Sequence, residues 1–234
     1  MIDFHKNGFF ILPQLDWVEF DFIVQSVEKK YREVLANFLS DEEALTIQQY
    51  SQISHQLDHS KIWTKTARCL DRSAVNQIEN QCWVRGLKKE IGEFHISDEE
   101  SLGHGNIYFR LVRQNENGDV GPLHADAWFW EIAQKETRMR LKVWLPLVTS
   151  GEMPFLYIPG SHLSNKYNYK IVERHGSHKP DIVEQPDPSE VHRFGQDCGV
   201  PIVFHDKLIH GGAVSRKGTR VSIEFTMVME NGNL

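Results

Sequence analysis

Leu123-His124-Ala125-Asp126, answered far along the chain by Leu208-Ile209-His210 and then by Arg220-Val221-Ser222, is the stretch that decides how this sequence is read. Two histidines and one carboxylate can occupy one triangular face of a ferrous ion and leave the opposite face open. A His-x-Asp pair fits a strand, where residues two apart share a face. The third ligand must then arrive from a distant strand laid alongside. Arg220 follows His210 by ten residues, and a guanidinium there offers a planar fork for the carboxylate of an organic cosubstrate. The ordered set points to iron(II) chemistry that uses 2-oxoglutarate. A His-x-Asp pair alone would carry little weight in a chain with 12 histidines. The order and spacing of the whole set carry the reading.

Working outward, the residues flanking the pair are aromatic. On a strand, Trp128 and Trp130 would share parity with His124 and Asp126. The expectation is therefore that they belong to the core or the pocket wall, with substrate stacking as the sharper alternative. Asp126 favours hydroxylation over halogenation, because a small residue there would leave a coordination position for a halide. His205 competes with His210 as the distal histidine. His210 is preferred because Arg220 then falls ten residues later and Gly211-Gly212 permits close backbone approach. Ser222 shares the face of Arg220, with Glu224 and Thr226 continuing it, and can add a hydrogen bond to a bound carboxylate.

The second half of the chain has a β texture. Ile107 to Val112, Leu141 to Leu145, Phe155 to Ile158, Val200 to His205 and Arg220 to Val228 are short β-prone runs broken by glycine and proline. Their spacing suggests a sandwich or jelly roll rather than alternating βαβ units. Residues 164–198 read as an irregular polar excursion with four Lys or Arg between Ser164 and Lys179 (Lys166, Lys170, Arg174 and Lys179) and one acid, Glu173. The reading is a lid at the site entrance that favours an anionic substrate, set against a plain solvated loop.

The first hundred residues read as mainly helical. Asp16 is an N-cap with Glu19 at the capping-box position and Leu15 and Phe20 placed for a hydrophobic staple. Trp17, Phe20, Val24, Val27, Tyr31, Leu35 and Phe38 predict one apolar helix face. Ser40 with Glu43 predicts a second helix start, and further helices are expected over 60–70 and 74–92, the last ending near Gly92. Phe9 to Pro13 is expected as an edge strand stopped by Pro13. The whole, 1–234, is expected to be one domain, with 1–100 as helical support and 101–234 as the β core.

Composition narrows the class. A net charge of −6 and a pI near 6.1 argue against nonspecific binding to nucleic acid or to an anionic membrane. No apolar run is long enough to span a bilayer. Cys69, Cys82 and Cys198 form neither a disulfide frame nor a zinc motif, so they are expected as reduced thiols. The opening Met-Ile-Asp-Phe-His-Lys has no secretory pattern, and the expected compartment is cytoplasmic.

Together these residues resemble the phytanoyl-CoA dioxygenase superfamily of iron(II)- and 2-oxoglutarate-dependent oxygenases. The likeness runs from Phe4-His5-Lys6-Asn7-Gly8-Phe9-Phe10-Ile11-Leu12-Pro13 through Leu123-His124-Ala125-Asp126, Val143-Trp144, Ile158-Pro159-Gly160-Ser161-His162 and Phe204-His205-Asp206-Lys207-Leu208-Ile209-His210-Gly211 to Arg220-Val221-Ser222. It implies an α+β protein with a mainly β core, a cupin-like double-stranded β-helix or jelly roll with N-terminal helices packed on it. It further implies Fe(II) on His124, Asp126 and His210, and 2-oxoglutarate held by Arg220 with Ser222 and Trp144 beside it. Dioxygen would be consumed, an unactivated C–H bond of a small molecule hydroxylated, and succinate and CO2 released. His162 is expected to be structural. Gly212 stands where some relatives carry a hydroxyl, for which Ser222 compensates, and nothing reads as a handle for coenzyme A. The rival readings are a cupin-type isomerase or hydrolase that ignores 2-oxoglutarate, and a catalytically silent small-molecule binding module. Either would leave Arg220 without its role.

Overall fold

The computed structural model describes residues 2–39, 45–132, 138–149, 155–174, 177–194 and 197–230. Its elements in chain order are α1 (Ile2–Asn7), β1 (Phe9–Ile11), α2 (Trp17–Leu35), α3 (Tyr50–Ile53), α4 (His59–Ile62), α5 (Arg72–Glu79), α6 (Cys82–Ile91), β2 (Phe94–Ile96), β3 (Tyr108–Val112), α7 (Asp126–Ile132), β4 (Arg140–Val148), β5 (Phe155–Tyr157), β6 (Tyr169–Arg174), β7 (Ser177–Ile182), β8 (His192–Phe194), β9 (Ile202–His205), β10 (His210–Gly212) and β11 (Arg220–Met229).

Two antiparallel sheets make the β core. The larger runs β1-β9-β4-β11-β2, with β3 also paired to β11, and the smaller runs β10-β5-β8. Alternation along the two longest strands assigns their faces. Leu141, Val143, Leu145 and Leu147 of β4, with Val221, Ile223, Phe225, Met227 and Met229 of β11, belong to one large apolar core shared with Ile23, Val27, Tyr31, Leu35, Val75, Ile78, Val84 and Leu87 of the helices. The opposite faces hold Lys142 and Trp144 on β4 and Arg220, Ser222, Glu224 and Thr226 on β11. Trp144 meets Phe155, Phe194, Ile202, Phe204 and Leu208 in a second cluster between the two sheets. Both faces of the large sheet are therefore covered, which is why β4 and β11 are buried almost end to end. This is the expected jelly roll with helices packed on one side.

Local chemistry sets the helix ends. Asp16 caps α2 by accepting from the Val18 N–H at 2.9 Å. Glu19 does not close a capping box; it accepts instead from the Cys82 N–H at the start of α6. The buried stripe of α2 is Ile23, Val27, Tyr31 and Leu35. Trp17 and Phe38 are exposed, because one opens the helix and the other lies past its end. The helix expected over 74–92 is two, α5 and α6, broken where Asn80 donates back to the Asn76 carbonyl at 2.7 Å. Gly92 ends α6 at φ +95°, a conformation glycine adopts without cost. The helix expected over 60–70 shrinks to α4 and a 3-10 turn, Thr66–Arg68. The helix start expected at Ser40 lies outside the described residues. β1 is an edge strand as expected, paired only to β9.

Two further expectations fail. Asp126, Trp128 and Trp130 are not on a strand: they belong to the first and second turns of α7. The Ala127 N–H bonds the Asp206 carbonyl at 2.9 Å, so long-range contact overrides the strand-like alternation of the local sequence. Residues 164–198 are not irregular throughout. They contain the hairpin β6–β7 in register from Tyr169↔Ile182 to Arg174↔Ser177, followed by β8 in the smaller sheet. Among the described residues no helix is long and apolar enough to cross a membrane.

Candidate metal centre

Backbone pairing builds the site before any side chain enters it. The His124 N–H donates to the His210 carbonyl and the His210 N–H to the His124 carbonyl, both at 2.9 Å, in an isolated antiparallel bridge. The two histidines therefore stand opposite each other at the end of the smaller sheet, ring centroids 4.6 Å apart. Two residues after His124 the chain turns into α7, which swings Asp126 over the same point. One side-chain ligand atom from each of His124, Asp126 and His210 lies within 4.8 Å of the others, the single such cluster among the described residues. His210 Nε2 is 3.5 Å from Asp126 Oδ2, and His124 Nε2 is 3.8 Å from Oδ1.

The imidazoles are oriented for coordination. His124 Nδ1 lies 2.8 Å from the Pro122 carbonyl oxygen and His210 Nδ1 lies 2.9 Å from that of Leu208. A carbonyl oxygen only accepts, so each Nδ1 carries a proton and each ring turns its Nε2 toward Asp126. Burial, only partly offset by Asp126, pulls His210 down to about 4, which keeps it neutral at ordinary pH. Burial alone would raise the Asp126 carboxyl. Lys142 first, then the two histidines, outweigh it and hold the group below the usual range. Asp126 Oδ2 is a buried acceptor with no hydrogen-bond partner among the described residues. Two oriented imidazoles and one unsatisfied carboxylate oxygen turned to a common point form a donor set suited to a divalent transition metal. His205 takes no part. Its Nδ1 lies 2.9 Å from Asp206 Oδ1 and its ring stacks near Phe4 and His162.

The cavity beside the cluster is lined by Tyr108, Arg110, Lys142, Trp144, Arg220 and Glu224, with Gly211, Gly212, Val120 and Phe155 closing it. Arg220 is buried, and burial together with the neighbouring Arg110 pushes its guanidinium down to about 10. Arg110 donates twice to Glu224 Oε1, at 3.1 and 2.7 Å. Trp144 lines the cavity and packs on Phe155 at 5.2 Å. Ser222 lies on the same strand face as Arg220, fully buried with its hydroxyl unpaired among the described residues, but it is not part of the cavity wall. Trp128 and Trp130 are not part of that wall either. Trp128 stacks on Tyr169 at 5.1 Å, and Trp130 lies under the Arg140 guanidinium.

Lys142, Arg110 and Tyr108 are cavity residues that the sequence reading did not single out. The signal was present. Lys142 is one ammonium in the otherwise apolar run Leu141-Lys142-Val143-Trp144-Leu145, and Arg110 interrupts its own strand in the same way. A charge inside a strand buried on both faces needs a reason.

A model of the phytanoyl-CoA dioxygenase family matches residues 4–220. The chain belongs to that family. Among solved structures it is similar to the non-heme monooxygenase ThoJ, at 14% identity and a TM-score of 0.64 over 97% of this chain and 76% of that one. It is similar to EvdO2 from Micromonospora carbonacea var. aurantiaca, at 14% identity and 0.61 over 99% and 92%. It is also similar to EctD from S. alaskensis, solved with 2-oxoglutarate and 5-hydroxyectoine, at 16% identity and 0.56 over 100% and 76%. At such identities the likeness is one of fold, and it agrees with the jelly roll. A comparison with curated protein sequences gives no match. Family membership matches the resemblance drawn from the motifs.

Proposed function

We propose that this member of the phytanoyl-CoA dioxygenase family is an iron(II)- and 2-oxoglutarate-dependent oxygenase that hydroxylates an unactivated C–H bond of a small molecule, releasing succinate and CO2. The observation that carries the proposal is the cluster itself: two imidazoles locked by backbone carbonyls with Nε2 facing one half-buried carboxylate, beside a cavity walled by a buried arginine. His124, Asp126 and His210 would hold the iron. When bound, iron and 2-oxoglutarate supply the oxygen activation that no side chain here can perform. The chain's own part is to bind, orient and exclude water.

Arg220 is the anchor in this reading. Its guanidinium lies at the cavity wall next to Gly212, where a Cβ would come within 3.3 Å of Nη2. A dicarboxylate entering there would bring the opposite charge that offsets the desolvation of Arg220. Trp144 supplies a flat apolar wall, and Ser222 adds polarity behind Arg220. The 2-oxoglutarate present in structures of EvdO2 and EctD supports the cosubstrate by analogy of fold.

Substrate-stimulated succinate formation by the purified protein, with ferrous iron and 2-oxoglutarate, is the direct test. Arg220→Ala should raise the apparent KM for 2-oxoglutarate by roughly two orders of magnitude or more, since truncating one side of a buried charge pair costs about 2–5 kcal/mol. It should leave the KM for the primary substrate nearly unchanged. Full turnover without 2-oxoglutarate would instead support the cupin-type alternative.

A further inference from the structure

Lys142 stands in the heart of the molecule for no packing reason. It lies on β4 with only 3% of its surface exposed. Its ammonium donates to Thr226 Oγ1 at 3.0 Å and to the Tyr108 hydroxyl at 3.4 Å. Nζ also sits 3.9 Å from Asp126 Oδ2, beyond hydrogen-bond reach but close enough for strong attraction in a buried setting. That same oxygen lies 3.5 Å from His210 Nε2 and accepts no hydrogen bond. One carboxylate oxygen is thus poised between the lysine and the histidine that would share a metal with it.

We propose that Lys142 is a positioning residue of the metal centre: its ammonium is a built-in counter-charge that holds the Asp126 carboxylate aligned toward His210 before a divalent cation arrives, and against which that cation must compete. The inference rests on the reading of His124, Asp126 and His210 as ligands. A carboxylate or an ammonium withdrawn from water is costly, and Lys142, which also faces Glu224 and Glu99, offsets that cost for Asp126 before a metal binds. Binding of a dication claims the carboxylate and leaves Lys142 facing a like charge. Lys142 is tied to Thr226 and Tyr108 on a buried strand, so it cannot swing away. The lysine should therefore make the metal-free site orderly and its metal affinity modest.

Two opposite effects separate this role from a structural one. Removing the charge while keeping the shape, Lys142→Met, should lower the thermal midpoint of the metal-free protein yet tighten its binding of a divalent ion. A lysine that merely supports the fold would loosen metal binding when removed. The test is calorimetric titration of untagged, metal-free protein with nickel(II) alone, paired with thermal melts with and without nickel. Lys142→Met should bind nickel at least tenfold tighter than wild type and show a larger nickel-induced rise in midpoint. Lys142→Arg, which keeps the charge, should stay near wild type. Lys142→Gln, which keeps a donor for Thr226, serves as the neutral variant if the methionine protein does not fold. Equal or weaker nickel affinity in a folded neutral variant overturns the proposal. A wild-type protein whose nickel binding is unaffected by His124→Ala overturns the ligand reading itself, and the role of Lys142 falls with it.

Discussion

At position 212 a Cβ would have to share its space with Val120 Cγ1 at 3.1 Å and Arg220 Nη2 at 3.3 Å. Alanine there is tight, and valine requires Arg220 or Val120 to move. If Arg220 anchors 2-oxoglutarate, Gly212→Val should raise the KM for 2-oxoglutarate several-fold while nickel affinity at the triad stays the same. An unchanged KM would detach Gly212, and with it the crowded guanidinium, from cosubstrate binding. Much at this scale was legible in the sequence. The spacing of His124, Asp126, His210 and Arg220 singled out the residues that the fold brings around one cavity. What escaped was backbone context. Asp126 reads as a strand residue because His124, Asp126, Trp128 and Trp130 fall at two-residue spacing, yet the Asp206 carbonyl captures the Ala127 N–H and starts a helix. Lys142 and Arg110 escaped because each is a single charge in an apolar strand, and their reason for being there lies on other elements, at Asp126 of α7 and Glu224 of β11.

Helix α7 carries Asp126 at its first residue and is held from outside by the hairpin β6–β7. Tyr169 of the hairpin stacks on Trp128 at 5.1 Å and its hydroxyl donates to Glu131 Oε2 at 3.0 Å. Two turns of helix are too short to be stable alone, so the position of Asp126 depends on this docking. Tyr169→Ala should weaken nickel binding roughly two- to twelvefold, the equivalent of about 0.5–1.5 kcal/mol for one aromatic pair. The KM for 2-oxoglutarate should not change. Identical nickel affinity would show that the hairpin plays no part in setting the carboxylate. Sequence periodicity could not reveal this element, because polar residues interrupt its strands and Ile171 on β6 and Val183 just past β7 are both turned to solvent. Its basic character is also weaker than the sequence suggests, since Lys166 is engaged by Glu190 at 2.6 and 2.8 Å.

Across the whole molecule, the helical layer does more than cover the large sheet. The Ser51 N–H of α3 donates to Thr219 Oγ1 at 2.9 Å, one residue before Arg220. A polar chain then runs from the helices to the cavity mouth. Trp63 Nε1 donates to the Tyr50 hydroxyl at 2.9 Å, and that hydroxyl lies 3.0 Å from His59 Nδ1. The tyrosine proton is then directed at Nδ1, and His59 Nε2–H faces Asp119 Oδ1 at 3.6 Å. Asp119 is gripped by Arg113 through Nε at 2.9 Å and Nη2 at 2.8 Å, next to Val120 in the cavity wall. Burial, against the opposing pull of Asp119, lowers His59 from 6.5 to about 4. The folded protein therefore resists protonation at a pH where the unfolded chain accepts it. The stabilising effect is complete above about pH 6.5, declines as the pH falls toward 4, and changes no further below that. Its full size is on the order of 3 kcal/mol, since each tenfold difference in proton affinity between the folded and unfolded chain is worth about 1.4 kcal/mol. Asp119, held low by Arg113 and by His59 despite its burial, adds loss in the same direction at the acid end. Urea denaturation of the metal-free protein at a series of pH values should show stability falling between pH 6.5 and 4. His59→Gln can accept from Tyr50 and donate to Asp119 without titrating, so it should flatten that slope in part, with His210 supplying the remainder. The same slope in wild type and His59→Gln would mean that this buried chain does not couple proton uptake to the joint between helices and barrel.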